Sequence, residues 1–388
     1  MSTRLKVILW VLMTAGFIFG YAGLILPGQT AILETPRPGT FQFQRLHIFL
    51  FNLVCGGTLL LNYTRDEHNL SRQDWLYLIV SLAFSVVAFF NRYLVAALLA
   101  IVLAILVEFV RIKLFGFLPT ELFRLKVPLA RRFHHSAILC LSLGLLISAG
   151  VILDDAYLHF LNLRGLLLDD FFLGFSFPLS LVTFSIIFSL VRDDVPKWIL
   201  AARESSFWIV TVGVILFFVA IILSVVAAEL AFATLLLLDV VLIFYLFRLD
   251  LVDRKEPAGF LTSGMGFLVF TGVTGLLLVL WNLLVPNDQR GWNILLQSHA
   301  YLSLYGWNLA GFTVIVHRHD FPLRLNDSPL IVLHWITIAL LAPMGSVYPV
   351  FALIAIPAFA TLIGLILFSR PSSRRDKMED PLPTASAG

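Results

Sequence analysis

The chain has little charge: 13% of its 388 residues are Asp, Glu, Lys or Arg, about half the ~25% of an average soluble domain. This shortage excludes an ordinary soluble protein. The hydrophobic share of 59%, with 35 phenylalanines, excludes a disordered chain. Apolar sequence on this scale needs lipid as its solvent, so we expect an integral membrane protein in contact with the bilayer.

Cysteine and the common motifs are also scarce. The only two cysteines, Cys55 and Cys140, lie in apolar runs, which predicts buried thiols without a disulfide framework. There is no Cys-x-x-Cys-His and hence no c-type heme attachment, and there is no zinc spacing, P-loop or nucleophile motif. No basic run accompanies a soluble domain, so we expect no nucleic-acid partner.

Polar breaks divide the chain into twelve apolar runs, which predict an all-α polytopic bundle of about 12 transmembrane helices. The predicted spans are residues 7–26, 44–62, 75–90, 93–110, 134–153, 171–191, 206–227, 230–247, 259–284, 292–316, 329–345 and 348–369. Very short turns join three neighbouring pairs, at residues 91–92, near 228–229 and at 345–347. We expect residues 1–369 to form a single transmembrane domain and 370–388 a disordered cytoplasmic tail.

The positive charges predict the orientation. With the N-terminus inside the cell, only five of the 27 Lys and Arg residues fall in outside segments, namely Arg37, Arg45, Arg92, Arg164 and Arg290. By the positive-inside rule, both termini face the cytoplasm, and we expect a bacterial or archaeal cytoplasmic membrane. The first span is too long for the apolar core of a signal peptide, so it is predicted to be a retained helix. Basic residues alternate with apolar ones over residues 115–129, which predicts a short amphipathic helix on the inner surface.

Ionisable side chains inside spans are costly in lipid and are therefore functional candidates. The candidates are His47, Glu108, His134, His135, Asp239, His299 and His334. His47 is either a heme ligand or an interfacial histidine bonded to loop backbone. His299 is either a heme ligand or a buried histidine bonded to a neighbouring Ser or carbonyl. Both lie in the predicted outer half of the membrane, a shared depth at which one cofactor can sit.

The other candidates have competing interpretations. His134 and His135 form either a basic interfacial anchor or, with His334, a second metal or heme site. Asp239 either relays protons or is a neutral carboxyl that hydrogen-bonds between helices. Glu108 is predicted to pair with Arg111 three residues on. His317 and His319 are expected to be solvated, and Gly264, Gly266, Gly272 and Gly275 to serve close helix packing.

Two of the spans resemble a known family. Arg45, Leu46-His47 and Gly56-Gly57 resemble the second helix of heme-copper oxidase catalytic subunits, especially the cytochrome c oxidases with b-type hemes. His299-Ala300-Tyr301 followed by Gly306-Trp307 is similar to that family's tenth helix. The nitric-oxide-response membrane proteins called NnrS are similar at this level. The resemblance implies a subunit I-like fold and a low-spin heme ligand at His47, with Gly56 and Gly57 letting the porphyrin approach.

The departures from the family limit what is implied. Tyr301 stands where the family has a second histidine, and residues i and i+2 of a helix point ~200° apart. Either His299 turns toward the heme of His47, or Tyr301 supplies an oxygen ligand. Spans six and seven contain no histidine to bind copper, so we expect no copper and no oxygen-reducing oxidase.

The sequence therefore predicts one b-type heme, used for electron transfer or for sensing NO or O2. A quinol, a small redox protein, a gaseous ligand or further subunits would be the partners. Whether the chain is an enzyme is left open. The alternatives are a proton-coupled transporter or channel that uses Asp239, and a structural or assembly subunit of a membrane complex.

Overall fold

The structure is a computed structural model that describes residues 1–25, 43–67, 69–160, 172–192, 194–250 and 257–370. These described residues are mainly helical and form no strand. The all-α prediction is confirmed. The predicted tail at 370–388 falls almost wholly outside the described residues.

The α-helices are numbered here in chain order. They are α1 (Thr3–Ile25), α2 (Phe43–Ile48), α3 (Gly57–Arg65), α4 (Arg72–Phe89), α5 (Tyr93–Phe115), α6 (Leu129–Leu153), α7 (Phe177–Leu190), α8 (Lys197–Ile222), α9 (Val226–Asp250), α10 (Ala258–Leu284), α11 (Gln289–Tyr301), α12 (Leu309–Val316), α13 (Ser328–Trp335), α14 (Ala342–Val347) and α15 (Pro349–Phe368). Stretches of π-helix extend or link several of them, at Phe49–Gly56, Asp154–Leu158, Phe172–Ser176, Leu302–Asn308 and Ile336–Leu341. Short 3-10 turns occur at Thr120–Phe123 and Leu323–Asn326.

Within the described ranges, 10 helical stretches are long and apolar enough to cross a membrane. Each corresponds to one of the twelve predicted spans, so the polytopic membrane character is confirmed. The remaining two predictions, 171–191 and 292–316, are not among the ten. The first corresponds to the shorter apolar helix Gly174–Leu190. The second corresponds to α11 and α12 joined by π-helix, a stretch that carries Asn, Gln, Ser and His among its apolar residues.

The turn predicted at 91–92 is present, whereas the turn predicted near 228–229 lies earlier, at Ser224, and residues 345–347 are helical, with the break at Tyr348. Asn91, between α4 and α5, has φ 56°, and Ser224, between α8 and α9, has φ 55°. Left-handed backbone is costly for most L-residues, but Asn and other short polar residues tolerate it. A single such residue therefore suffices to reverse the chain between two long helices.

The described chain divides into two compact units, and the prediction of a single domain stays a prediction. The first unit consists of Met1–Val127 with His134–Val182. Its central helix runs through α2, π-helix and α3. Within Arg45–Arg65, 94% of an 18-residue window is buried, against 33% of such a window within Thr3–Tyr21. This helix forms the core of its unit, whereas α1 packs against it and presents its remaining face outward.

The second unit consists of Pro128–Phe133 with Thr183–Gly388. Here α8 packs on α9, α9 on α10, and α10 on α11. The packing role predicted for the glycines of α10 is confirmed. A Cβ on Gly264 would lie 2.5 Å from the Cβ of Ala310, and one on Gly272 would lie 2.9 Å from Leu237 Cδ1. The glycines let neighbouring helices approach more closely than any side chain would allow.

The predicted amphipathic helix at 115–129 is wrong in its conformation. The helix α5 ends at Phe115, because Gly116 has φ 83°, a conformation that an L-residue rarely adopts. Beyond it, Thr120–Phe123 forms a single 3-10 turn after Pro119, and Pro128 precedes α6. Glycine and proline thus keep this segment a loop despite its alternating pattern.

Candidate functional site

His299 is held by backbone on the neighbouring helix α10. Its Nδ1 lies 3.1 Å from the carbonyl oxygen of Thr271 and 3.2 Å from the hydroxyl of Thr274. Because a carbonyl only accepts, Nδ1 carries the proton and Nε2 bears the lone pair. The ring also sits over Gly275, where a Cβ would lie only 3.2 Å from Cε1. The carbonyl bond fits the structural interpretation of this histidine, and it is also the bond that a metal-ligating histidine makes with its second nitrogen.

His47 lies in the buried central helix of the first unit and is 7% exposed. A Cβ on Gly16 of α1 would lie 3.4 Å from the His47 carbonyl oxygen, so the two helices are close at this level. Arg45 is half-buried, two residues earlier. His47 belongs to the first unit and His299 to the second. The prediction that both face one heme stays a prediction.

Gly56 and Gly57 lie against protein side chains. A Cβ on Gly56 would meet Leu179 Cδ1 at 2.5 Å, and one on Gly57 would meet Tyr77 Cε1 at 2.9 Å. In this structure the two glycines admit those side chains into the core of the first unit. Their role beside a porphyrin stays a prediction.

Three of the candidate histidines lie two or three residues before a stretch of π-helix. His47 precedes Phe49–Gly56, His299 precedes Leu302–Asn308, and His334 precedes Ile336–Leu341. π-Helical turns are rare and are often found at functional sites. Tyr301 is the last residue before the second of these stretches, is 5% exposed, and has its ring 5.9 Å from that of Tyr305. This local widening thus marks His47, His299 and His334 among the histidines.

His334 is enclosed rather than open. Its Nε2 lies 2.7 Å from the Tyr305 carbonyl oxygen, so Nε2 donates and Nδ1 bears the lone pair. The ring stacks on Phe260 at a centroid distance of 5.9 Å and lies tilted by 43° against Phe267 at 4.6 Å. Among the described residues, Nδ1 has no hydrogen-bond partner. The two phenylalanines leave no room for a large planar ligand beside this ring.

His134 and His135 are buried, at 3% and 0% exposure, rather than interfacial. The Thr64 hydroxyl donates to the Leu60 carbonyl at 2.6 Å, so it accepts from His134 Nε2 at 2.8 Å. The His135 ring stacks on Phe115 at 4.5 Å. Both rings therefore pack inside the first unit, against α3 and α5, and are not exposed as an interfacial anchor would be; a second metal or heme site at these residues stays a prediction.

The Glu108–Arg111 ion pair is confirmed, with Nη2 and Oε2 2.7 Å apart. Arg111 also donates to the carbonyls of Gly116 and Phe117, at 3.1 and 3.0 Å, and lies 3.4 Å from His135 Nε2. Since Arg can only donate, the His135 Nε2 is the acceptor. Arg111 thus brings Glu108 and His135 together and closes the end of α5.

Asp239 of α9 hydrogen-bonds between helices, as one of its two interpretations predicts. The Ser206 hydroxyl on α8 donates to its Oδ1 at 2.6 Å. The residue is 3% exposed, and within the described ranges Oδ2 has no partner. A buried carboxyl with one unpartnered oxygen is costly to ionise, and protonation would give Oδ2 a donor.

Sequence reasoning missed an ion pair in the second unit, between a buried arginine and a half-buried glutamate. Arg132 is 0% exposed and donates to both carboxylate oxygens of Glu204, at 2.5 and 2.8 Å. Its guanidinium lies 4.1 Å from the centroid of the Phe207 ring, and Trp208 Nε1 donates to Glu204 at 3.0 Å. The predicted span began at 206, so Glu204 was placed in a loop, whereas α8 begins at Lys197. An Asp or Glu just outside a predicted span, such as Glu204, is the sequence signal that could have indicated that the helix is longer than its apolar run.

Two polar side chains differ from expectation. His317, expected to be solvated, is 2% exposed, with Nε2 2.7 Å from the Ile366 carbonyl oxygen; the prediction is wrong because α15 covers it. Asn52, an amide in the middle of a predicted span, donates to the Ser176 hydroxyl at 2.7 Å. Considering only ionisable groups in the spans overlooked this amide.

Comparisons with protein-family models, with curated proteins and with solved structures find no match. In the described part of the chain, no three His, Cys, Asp or Glu side chains are grouped to hold a metal ion. Single histidines and their hydrogen bonds are therefore the features of this chain that bear on its function.

Proposed function

We propose that this integral membrane protein binds one b-type heme and that His299 is an axial ligand of the iron. The observation that carries the proposal is the bond from His299 Nδ1 to the Thr271 carbonyl. It fixes the tautomer whose Nε2 can bind a metal, and it orients the ring. Imidazole is a common heme ligand, so the donor chemistry fits.

The partial exposure around His299 also supports the proposal. Residues 291–300 of α11 are all half-buried, in contrast to the enclosed ring of His334. The absence of a side chain at Gly275 lets the imidazole pack against α10. A ligand histidine needs this combination of a fixed ring and an approachable nitrogen.

The wider proposal follows the sequence resemblance. It includes a subunit I-like bundle of twelve spans, cytoplasmic termini, and His47 as the second ligand, with Arg45 and Tyr301 nearby. A heme held by His47 and His299 would supply one-electron transfer, and one held by His299 alone would supply binding of a gas such as NO or O2. In either case, the chain's contribution is to hold the His299 ring, through the Thr271 carbonyl, in the neutral tautomer whose Nε2 carries the lone pair.

The test is a reduced-minus-oxidised optical spectrum of detergent-purified protein, with pyridine hemochrome quantitation. We expect about one b-type heme per chain in the wild type, loss of it in His299→Ala, and loss or a changed spectrum in His47→Ala. His134→Ala is the matched control, since it also removes a buried imidazole but one tied to Thr64. A colourless wild type from heme-replete cells would overturn the proposal, and so would a heme that His299→Ala leaves unchanged.

Asp239 supports a second candidate, proton-coupled transport. Its carboxyl is buried between α8 and α9, accepts one hydrogen bond and retains one unpartnered oxygen among the described residues. A buried carboxyl that is costly to ionise is a candidate for taking up and releasing a proton.

A further inference from the structure

The loop after α5 exposes large apolar side chains outside any predicted span. In residues 116–127, hereafter the 116–127 loop, Phe117 is 74% exposed, Phe123 69% and Leu125 76%. The helix α5 before it has 23 residues and is ~34 Å long. This already exceeds the ~30 Å hydrocarbon core of a bilayer. The loop therefore begins where the hydrocarbon ends.

The same loop is basic. Arg124 and Lys126 are exposed and alternate with Phe123 and Leu125, whereas Glu121 is the one acidic residue of the loop. Lys113 is exposed on the last turn of α5. Apolar side chains interleaved with cations are typical of segments that lie in the headgroup layer, with the rings toward the acyl chains and the cations at the phosphates.

The loop is also held in place. Arg111 donates to the carbonyls of Gly116 and Phe117 while Glu108 holds its guanidinium. The Ser142 hydroxyl on α6 donates in turn to Glu108 at 2.5 Å. Fixing the first residues of the loop lowers the entropy lost when its side chains enter an ordered lipid layer.

We propose that the 116–127 loop is a binding surface for anionic phospholipid headgroups of the surrounding bilayer, with Phe117, Phe123 and Leu125 inserted and Arg124 and Lys126 at the phosphates. Charge complementarity favours lipid as the occupant. An anionic leaflet attracts each of the two exposed cations directly, whereas a protein partner would need acidic side chains placed opposite both. The inference is independent of heme binding.

The test uses full-length protein in nanodiscs with a fluorophore on Leu125→Cys, in a background with Cys55 and Cys140 replaced by Ala. Spin-labelled lipid with its nitroxide near the headgroup serves as quencher. The matched control is Asn69→Cys, an exposed position in the polar loop between α3 and α4. Two apolar helices separate the two loops, so both lie on the same side of the membrane.

We expect stronger quenching at position 125 than at 69, and a further increase when phosphatidylglycerol replaces half of the phosphatidylcholine. Arg124→Gln with Lys126→Gln should abolish that increase while leaving the quenching in phosphatidylcholine intact. Equal quenching at 125 and 69 would show that the loop lies in water and would overturn the proposal. Quenching that does not change when phosphatidylglycerol is added would overturn the anionic-lipid assignment. A binding partner that shields position 125 from lipid would overturn it as well.

Discussion

At the scale of single residues, buried polar groups in this protein are matched across helices by short hydroxyl-bearing side chains. Ser206 donates a hydrogen bond to Asp239, Ser142 donates one to Glu108, and Thr64 accepts one from His134. The net stabilisation from such a hydrogen bond is modest, because the same groups are bonded to water in the unfolded chain. An unpartnered buried polar group, in contrast, costs about 1–3 kcal/mol. The hydroxyls are therefore expected to be more critical than their size suggests.

Ser206→Ala removes the only hydrogen bond of the Asp239 carboxyl found among the described residues. We expect it to lower stability by about 1–3 kcal/mol, measured as the thermal unfolding midpoint in detergent. Thr211→Val on the same helix is the control, because the Thr211 hydroxyl only bonds back to the Phe207 carbonyl; it should change little. Asp239→Asn should be milder than Ser206→Ala, since an amide oxygen still accepts from Ser206.

The same Asp239→Asn variant separates the two candidate functions. In proteoliposomes with an internal pH dye, the heme proposal predicts no proton flux that depends on Asp239 and an unchanged heme spectrum. Flux in the wild type that Asp239→Asn abolishes would favour transport, provided that Glu229→Gln, another buried carboxyl, retains it.

At the scale of elements, glycine decides where helices end and how closely they approach. Gly116 has φ 83° and its Cβ direction is open, so only its backbone requires glycine. Gly150 in α6 is also open but helical. Because a Cβ is uncrowded at both glycines, alanine substitutions at Gly116 and Gly150 compare left-handed with helical backbone without a contribution from crowding.

We expect Gly116→Ala to destabilise the protein by about 1–2 kcal/mol, because an L-residue is strained at this φ. Gly150→Ala should instead stabilise it by roughly 0.5–1 kcal/mol, since alanine favours the helix. Thermal unfolding of the two variants beside the wild type measures both changes. A shift of the same sign in both would contradict the role assigned to the backbone at Gly116.

The sequence predicted contacts that depend on nearby residues and missed those that depend on packing. The Glu108–Arg111 pair follows from helical spacing alone, whereas Arg132–Glu204 joins residues that are distant in sequence. The π-helical stretches after His47 and His299 carry no sequence rule that hydrophobic periodicity could reveal. The Thr271 partner of His299 likewise depends on how α10 packs on α11.

At the scale of the whole molecule, the number of spans is the main question. Ten spans and twelve spans are both even, so both place the two termini on one side, and reporters at the termini cannot distinguish them. The two topologies differ between the termini: in the twelve-span topology both Gly174–Leu190 and the stretch from α11 to α12 cross the membrane, and in the ten-span topology neither does. With ten spans, the basic residues Arg192 and Lys197 lie outside the cell, against the positive-inside rule.

We therefore expect twelve spans, with residue 194 inside the cell and residue 287 outside. Both Asp194 and Asn287 are exposed, so Asp194→Cys and Asn287→Cys can be labelled in the background lacking Cys55 and Cys140. A membrane-impermeant maleimide should label position 287 on intact cells, and position 194 only after lysis. The reverse pattern is what ten spans would give, and it would also turn the loop before α8 away from the cytoplasm. Because the three helices α8, α9 and α10 lie between the two positions, labelling of both on intact cells would mean that one of these three helices does not cross. Positions 194 and 287 report whether Gly174–Leu190 crosses; if it does, termini on one side require the stretch from α11 to α12 to cross as well.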